Sequence, residues 1–178
     1  MQNYVDFASK NGIALDDVGP CQFCGAVLDR SVHECMEIFE LGFGGLDLAS
    51  PQDHVFRFFL VDAHALQHSE LHGRWSNHFH LARLIAILDE GVVWRYVDSP
   101  KLSVALDVHK AHVPDEQLVA PRPGERGAHT VRDVQAVRDD EASCKAEIGA
   151  WARSVHAAWS SEHHKALPVV RRFLASRF

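Results

Sequence analysis

The chain contains no hydrophobic run that is long enough to span a membrane. Its most apolar stretches, residues 55–66 and 81–88, are shorter than the about 20 residues that a spanning helix needs, and they carry Arg57, Asp62 and Arg83. The first residues also lack the cationic segment and the apolar run of a secretory signal. We therefore expect a cytoplasmic protein without a membrane partner.

The chain has no excess of basic residues either. The chain has 18 lysine and arginine residues against 24 aspartate and glutamate residues, which gives a net charge of −6. A nucleic-acid interface would need a clustered basic face, so we expect no nucleic-acid partner. The sequence identifies no protein or small-molecule partner. A binding function could use the proline- and glycine-rich residues 113–129, which are predicted to form a loop, because binding residues often lie on loops.

Cysteine is scarce, and the four cysteines are unevenly placed. Three of the four lie between positions 21 and 35, and seven of the 13 histidines lie between positions 33 and 80. In a chain without a secretory signal, a C-x-x-C pair binds metal or undergoes redox chemistry more often than it forms a structural disulfide. Thiolate and imidazole are the ligands that zinc prefers, so this part of the sequence predicts a zinc site.

The spacing of the cysteines predicts the zinc ligands. Cys21 and Cys24 form a C-x-x-C-G turn, and Cys35 follows after ten intervening residues, which is a normal loop length for a closed structural zinc site. Three thiolates leave one tetrahedral position. We predict His68 for that position, because an antiparallel return of the second helix would bring its C-terminal end back to the cysteines.

Two other histidines remain alternatives for the fourth position. His80 would lie near the same end of the bundle, and His33 is next but one to Cys35, although a single intervening residue makes joint coordination geometrically awkward. His54 would lie about 20 Å away at the other end of the second helix, given the rise per residue of an α-helix. Three further histidines are expected at the surface: His64, His72 and His129.

Asp62 lies in the middle of the apolar stripe of the second helix. A carboxylate should not be buried unpaired, so we expect Asp62 to hydrogen-bond a neighbouring helix, to orient a histidine such as His80, or to bind metal itself. If Asp62 orients a histidine or binds metal, then Asp62 and His80 could line a pocket together with His54 and His68. The alternative function is therefore a metal-dependent enzyme, a hydrolase or thiol transferase-like protein. The 14-residue separation of His54 and His68 on one helix opposes the convergence of all four side chains.

Apolar residues recur at helical spacing through most of the chain, which predicts an all-α fold: a bundle of about six helices with a small zinc knuckle. We expect a single domain over residues 1–178, with an N-terminal extension (1–20), the zinc knuckle (21–35) and the helical bundle (34–178). The first helix should run from near Glu34 to Gly42, and the second from Ser50 as N-cap, with Pro51 in its first turn, to about His68. Later helices are predicted at about 76–88, 99–109, 130–137, 140–159 and 161–176.

The sequence also resembles an uncharacterised bacterial family that is known only as a domain of unknown function. The resemblance rests on the C-x-x-C-G knuckle at 21–25, on V-D-A-H-A-L-Q-H at 61–68, which is similar to a VDAYALQHP-like motif, and on W-A-x-S-V-x-x-A-W at 151–159. It covers about residues 21–174. The chain departs from the family pattern at His64, Ser69 and His156, where the family has tyrosine, proline and tryptophan. Membership implies a compact single-domain bacterial protein and no particular reaction.

The function predicted first is that of a small zinc-binding helical protein. Its Cys3His site, formed by Cys21, Cys24, Cys35 and His68, is expected to be mainly structural. Four protein ligands leave no open position, and a thiolate-rich set weakens the metal as a Lewis acid. The sequence itself names no reaction.

Overall fold

The computed structural model of the protein describes residues 4–41, 50 and 53–177. Within these residues there are eight α-helices, two short 3₁₀ helices and no β-strand, which confirms the predicted all-α class. The α-helices are α1 (Tyr4–Lys10), α2 (Ser31–Leu41), α3 (His54–Gln67), α4 (Arg74–Leu88), α5 (Asp98–His112), α6 (Val131–Ala136), α7 (Glu141–Ala158) and α8 (His163–Ala175). The 3₁₀ helices are Ser69–Leu71 and Ser160–Glu162. None of the described helices combines the length and the apolar character that a bilayer crossing requires.

Helix α3 lies at the centre of the bundle. It packs against α4 and α7, while α4 packs against α8, which also contacts α5. The side chains of Phe58, Phe59, Ala63 and Leu66 on α3 are all buried. Because its apolar positions cover more than half of its circumference, α3 can be enclosed by helices on several sides, as the sequence predicted.

The starts of α6 and α7 follow from local hydrogen bonds that the sequence encodes. Thr130 and Asp133 form the capping box of α6: the Asp133 carboxylate accepts from the Thr130 backbone N–H at 2.7 Å, and the Thr130 hydroxyl accepts from the Arg132 N–H at 3.3 Å. Asp140 caps α7 by accepting from the Ser143 N–H at 3.1 Å. Helix α7 then carries Trp151 and Trp159 into the core.

The N-terminal segment is more ordered than the sequence suggested. Residues 4–10 form α1, which was not predicted because the first 20 residues contain few apolar positions. Ala8 is buried, and Tyr4 packs against the core, so even this short helix has an apolar side. Helix α1 contacts the 3₁₀ helix Ser69–Leu71, and the extension therefore packs on the bundle.

Several predicted helix ends are shifted. Helix α2 begins at Ser31 rather than near Glu34, and α4 begins at Arg74, before the predicted start after residue 76. Helix α3 begins at His54, not directly after Ser50, although the Ser50 hydroxyl does accept a hydrogen bond from the Asp53 N–H at 3.2 Å. The predicted roles of Gly42 and Pro51 lie outside the described residues.

The segment at residues 113–129 has no helix, as predicted, but it is firmly attached to the bundle. The Gly124 N–H donates to the Phe23 carbonyl at 3.1 Å, which joins this segment to the knuckle. The buried guanidinium of Arg126 donates to the carbonyl oxygens of Pro121 at 2.9 Å and Gln67 at 2.8 Å. The segment therefore connects the N-terminal knuckle to the end of α3.

Candidate metal centre

The knuckle around Cys21 is a tight turn closed by backbone hydrogen bonds. The Gly25 N–H donates to the Cys21 carbonyl at 2.8 Å, and the Cys21 N–H donates to the Ala26 carbonyl at 2.9 Å. Gly25 has a φ of +78°, and a Cβ at this position would lie 3.2 Å from Gly124 Cα. Glycine suits this turn because it adopts positive φ without strain and leaves room for the segment packed on it.

A second set of hydrogen bonds brings Cys35 next to the knuckle. The Gly19 N–H donates to the Asp29 carbonyl, and the Ser31 N–H donates to the Gly19 carbonyl, both at 2.9 Å. The Ser31 hydroxyl also donates to the Pro20 carbonyl at 3.0 Å. These bonds fold the chain between positions 19 and 31 back on itself, so that the second turn of α2 presents Cys35 to the C-x-x-C pair.

The four predicted ligands lie together. Cys21, Cys24, Cys35 and His68 are all buried, and their ligand atoms lie within 4.8 Å of one another. His68 Nε2 is 3.4 Å from Cys21 Sγ and 3.3 Å from Cys35 Sγ, and the Sγ atoms of Cys24 and Cys35 are 3.8 Å apart. Around tetrahedral zinc, the usual bond lengths imply separations of about 3.8 Å between two sulfurs and about 3.5 Å between sulfur and nitrogen. The four groups therefore form a possible metal site.

The backbone of α3 orients the His68 ring. His68 directly follows the last residue of α3, and its Nδ1 lies 2.8 Å from the His64 carbonyl oxygen. Since a carbonyl can only accept, Nδ1 carries a proton, and Nε2 is the nitrogen that faces the thiols. Metal-binding histidines commonly use their second nitrogen in this way, which orients the ring and leaves Nε2 as the atom that can bind an ion.

The charges of the cluster are mutually dependent. Hydrogen bonds from Cys24 and Cys35 lower the pKa of the Cys21 thiol, whereas hydrogen bonds with Cys21 and Cys24, together with burial, raise the pKa of the Cys35 thiol. Burial disfavours the charged form of His68, but its bonds to Cys21 and Cys24 outweigh burial and raise the pKa of His68 to about 10. The protein alone thus favours one thiolate beside one imidazolium, and further thiolates require a cation in their midst.

His80, the second-ranked candidate, is engaged elsewhere. Its Nδ1 lies 2.7 Å from Asp62 Oδ1, and Arg83 donates to both carboxylate oxygens of Asp62, with Nε at 2.8 Å from Oδ2. Asp62 is fully buried, and its partners belong to α4. Two of the three interpretations of Asp62 therefore hold: the carboxylate hydrogen-bonds a neighbouring helix, and it orients the His80 ring.

The remaining alternatives lie away from the cluster. His33 Nδ1 is 2.8 Å from the Tyr4 hydroxyl, and its Nε2 is 3.3 Å from an Asp17 carboxylate oxygen. His54 begins α3, at the opposite end from His68, where its ring packs edge-on against Tyr96 with centroids 4.6 Å apart. The set of His54, Asp62, His68 and His80 does not meet in one pocket.

The prediction that His64 is a surface residue is wrong. Its side chain is buried between Phe39, with ring centroids 3.8 Å apart, and His68, with centroids 4.1 Å apart. Burial lowers the pKa of His64 well below its usual value, so the ring is neutral. Position 64 is one turn before position 68, so it faces the same side of α3. His64 and His72 also line a cavity of about 310 Å³, and burial lowers the pKa of His72 to about 3.

Sequence reasoning missed Arg126, which supports the ligand end of α3 through its contacts with Gln67 and Glu70. Gln67 receives a hydrogen bond from Trp151 Nε1 at 3.0 Å and donates to the His129 carbonyl at 2.8 Å. The Arg126 guanidinium bonds the Gln67 carbonyl and pairs with Glu70. An arginine between Glu125 and Gly127, in a polar segment, gives no sign that it is buried. Gln67, beside His68 in the central motif, was the available signal.

A comparison with protein families gives a match. A family model described as "Family of unknown function (DUF5946)" matches residues 19–160, which include the knuckle, α3 and all of α7. No curated protein and no solved structure matches the chain. The match covers well over half of the sequence and includes all four residues of the cluster. The chain therefore belongs to this family of unknown function.

Proposed function

We propose that Cys21, Cys24, Cys35 and His68 bind one zinc ion in a mainly structural site. The observation that carries the proposal is the buried convergence of three thiols and one imidazole at separations close to the edges of a zinc tetrahedron. Thiolate and imidazole ligands in tetrahedral array favour zinc over harder ions such as Mg²⁺ or Ca²⁺. The Nδ1 hydrogen bond of His68 supports the proposal because it leaves Nε2 free to bind metal.

The role of the ion is to stabilise the fold. With four protein ligands, zinc has no position for water or a substrate, so it supplies neither an activated nucleophile nor a Lewis acid. The ion would instead join three parts of the chain: the knuckle, the start of α2 and the end of α3. We propose accordingly that the protein is a zinc-stabilised helical scaffold forming one domain over residues 1–178.

The use of thiolates as ligands supports a reducing compartment. All four cysteines are free and buried, and zinc binding requires that Cys21, Cys24 and Cys35 remain reduced. We propose the cytoplasm as that compartment, in keeping with the low cysteine content of the chain. The metal-dependent enzyme is not favoured as a second function, because Asp62 and His80 are engaged with Arg83 and each other.

Metal analysis of purified protein tests the proposal. The protein is prepared without added metal, and we expect about one zinc per chain, with Cys21→Ala and Cys35→Ala both losing most of it. Cys144→Ala is the matched control, because Cys144 is also a buried free thiol but lies on α7, outside the cluster. It should retain the zinc of the unaltered protein.

Two outcomes would refute the proposal. One is a fully folded protein with less than about 0.3 zinc per chain, since a structural ion contributes to the folding free energy and would be retained. The other is an equal loss of zinc from Cys144→Ala and from Cys21→Ala, which would show that the zinc is bound non-specifically.

A further inference from the structure

A second group of potential metal ligands lies where the ends of α4, α7 and α8 meet. Asp89 follows the last residue of α4, His156 lies in the last turn of α7, and His163 is the first residue of α8. Their ligand atoms all lie within 4.8 Å of one another. A carboxylate at the end of α4 thus comes together with two imidazoles at the junction of α7 and α8.

The separations within this group are close to those around a small metal ion. His156 Nε2 lies 3.1 Å from Asp89 Oδ2, and His163 Nδ1 lies 3.9 Å from the same oxygen. Tetrahedral zinc with nitrogen and oxygen ligands implies separations of about 3.4 Å, which falls between these two distances. The Asp89 side chain is 42% exposed, so its carboxylate can shift by the few tenths of an ångström that coordination requires.

The hydrogen bonds of His163 leave one nitrogen available. Its Nε2 lies 3.0 Å from the His156 carbonyl oxygen, which can only accept, so Nε2 carries the proton. Nδ1 therefore has a free lone pair, and it faces Asp89 at a distance too long for a hydrogen bond.

His156 needs only a shift of its proton to become a ligand. In the present geometry its Nε2 is at hydrogen-bonding distance from Asp89, so Nε2 carries a proton that it donates to the carboxylate. On metal binding this proton would move to Nδ1 of the same ring, and Nε2 would then use its lone pair for the ion. The number of bound protons does not change.

The charges around the group suit a cation. The C-terminal ends of α4 and α7 meet here, and each carries the partial negative charge of a helix C-terminus, in addition to the Asp89 carboxylate. The N-terminus of α8 contributes a partial positive charge, which one of the two C-termini offsets.

We propose that Asp89, His156 and His163 form a second metal site, which takes a divalent transition-metal ion such as zinc from solution. With three protein ligands, the ion keeps at least one position for water or an external ligand, in contrast to the closed Cys3His centre. His163 lies outside residues 19–160, so the family match does not imply this site. The proposal is independent of the zinc assigned to the cysteines.

Metal titration separates the two sites. Protein that contains one equivalent of zinc is titrated with Zn²⁺ by calorimetry, and we expect a second, weaker equivalent. His163→Ala should lower the affinity for this second ion by at least about tenfold. His164→Ala is the matched control, because His164 is the exposed neighbouring histidine whose Nδ1 bonds the Ser161 carbonyl at 2.7 Å. It should bind the second ion like the unaltered protein.

Cobalt substitution assigns each ion to its ligands. Cobalt in the Cys3His centre should show thiolate-to-metal charge-transfer absorption, whereas cobalt bound to Asp89, His156 and His163 should show none. Binding of a single equivalent that shows thiolate-to-metal charge transfer with cobalt, or equal second-site affinity in His163→Ala and His164→Ala, would overturn the proposal. If His163→Ala does not fold, Asp89→Asn provides the same test on an exposed side chain. Failure of the cysteine site alone would remove the charge-transfer band and leave the second ion bound.

Discussion

His68 is the residue on which the candidate centre most depends. It follows α3 directly, its Nδ1 is bound to the His64 carbonyl, and its Nε2 lies within 3.4 Å of two thiols. The neighbouring Gln67 is held by Trp151 and by the segment that contains His129. These hydrogen bonds orient the imidazole towards the thiols and do not themselves involve a metal.

Replacing His68 with alanine should weaken metal binding and stability together. At a fixed zinc concentration, a 100-fold loss of zinc affinity lowers the free energy of unfolding by about 2.7 kcal/mol. His80→Ala is the control, because His80 bonds Asp62 rather than the thiols. This variant should retain its zinc. Zinc content and melting temperature are measured for both variants. If zinc content and melting temperature are unchanged in His68→Ala, then His68 is not the fourth ligand, and His80 or His33 is.

Individual residues differ in how far the sequence reveals their roles. Cys21, Cys24 and Cys35 could be recognised because thiolate spacing reflects local geometry that a short loop determines. The burial of Asp62 was also predictable from its place in an apolar stripe, but its partner Arg83 was not, since the pairing depends on how α4 packs on α3. Arg126 was missed because only its tertiary contacts make it a core residue.

Among the structural elements, the segment at residues 113–129 packs closely against its neighbour α7. Gly127 has a φ of +123°, and a Cβ there would lie 2.7 Å from Ser154 Oγ and 3.0 Å from Val155 N. Gly124, three residues earlier, has a φ of +80° but no atom within 4 Å of its would-be Cβ. Both positions thus have a positive φ that would strain an alanine. They differ in the space that is available for its Cβ.

Gly127→Ala should therefore destabilise the protein more than Gly124→Ala. An alanine in a left-handed conformation costs about 1–2 kcal/mol at either site. At position 127 the clash with α7 adds about 1–3 kcal/mol, because the backbone nitrogen of Val155 cannot move aside. Urea denaturation of both variants gives the difference in unfolding free energy. Equal values would mean that the segment can shift away from α7 without loss.

The elements with strong local signals were predicted best. Helices α6 and α7 begin with capping side chains, and α3 has a clear apolar stripe, so these three could be placed from sequence. Helix α1 is held by its contact with the 3₁₀ helix Ser69–Leu71, a long-range interaction that no local pattern encodes. The start of α2 at Ser31, whose φ is +45°, depends on the hydrogen bonds that close the knuckle.

Across the whole molecule, the candidate zinc centre lies at one end of the bundle. It joins the knuckle and α2 to the end of α3, while α5 and α8 pack on each other and on α4 without contributing a ligand to it. The apolar core can hold α3, α4, α7 and α8 together, since each of these helices contributes buried apolar side chains to it. The knuckle adds Phe23, Ala26 and Leu28 to the core, but three of its other buried side chains are the thiols of the cluster. Because these thiolates need a cation between them, the knuckle should depend on the metal.

Removal of the metal should therefore loosen one end of the molecule and leave the other intact. After chelation, we expect faster hydrogen exchange at the amides that close the knuckle, such as Gly25 N–H bonded to the Cys21 carbonyl, and at His68 N–H bonded to the His64 carbonyl. Amides in the middle of α8 should keep their protection, because that helix is packed by Val169, Val170 and Phe173 into the core. Adding zinc back should restore the protected amides of the knuckle and the end of α3 in parallel, since one ion binds both. Equal loss of protection in α8 would show that the ion supports the entire fold, and unchanged exchange at the knuckle would show that it supports none of it.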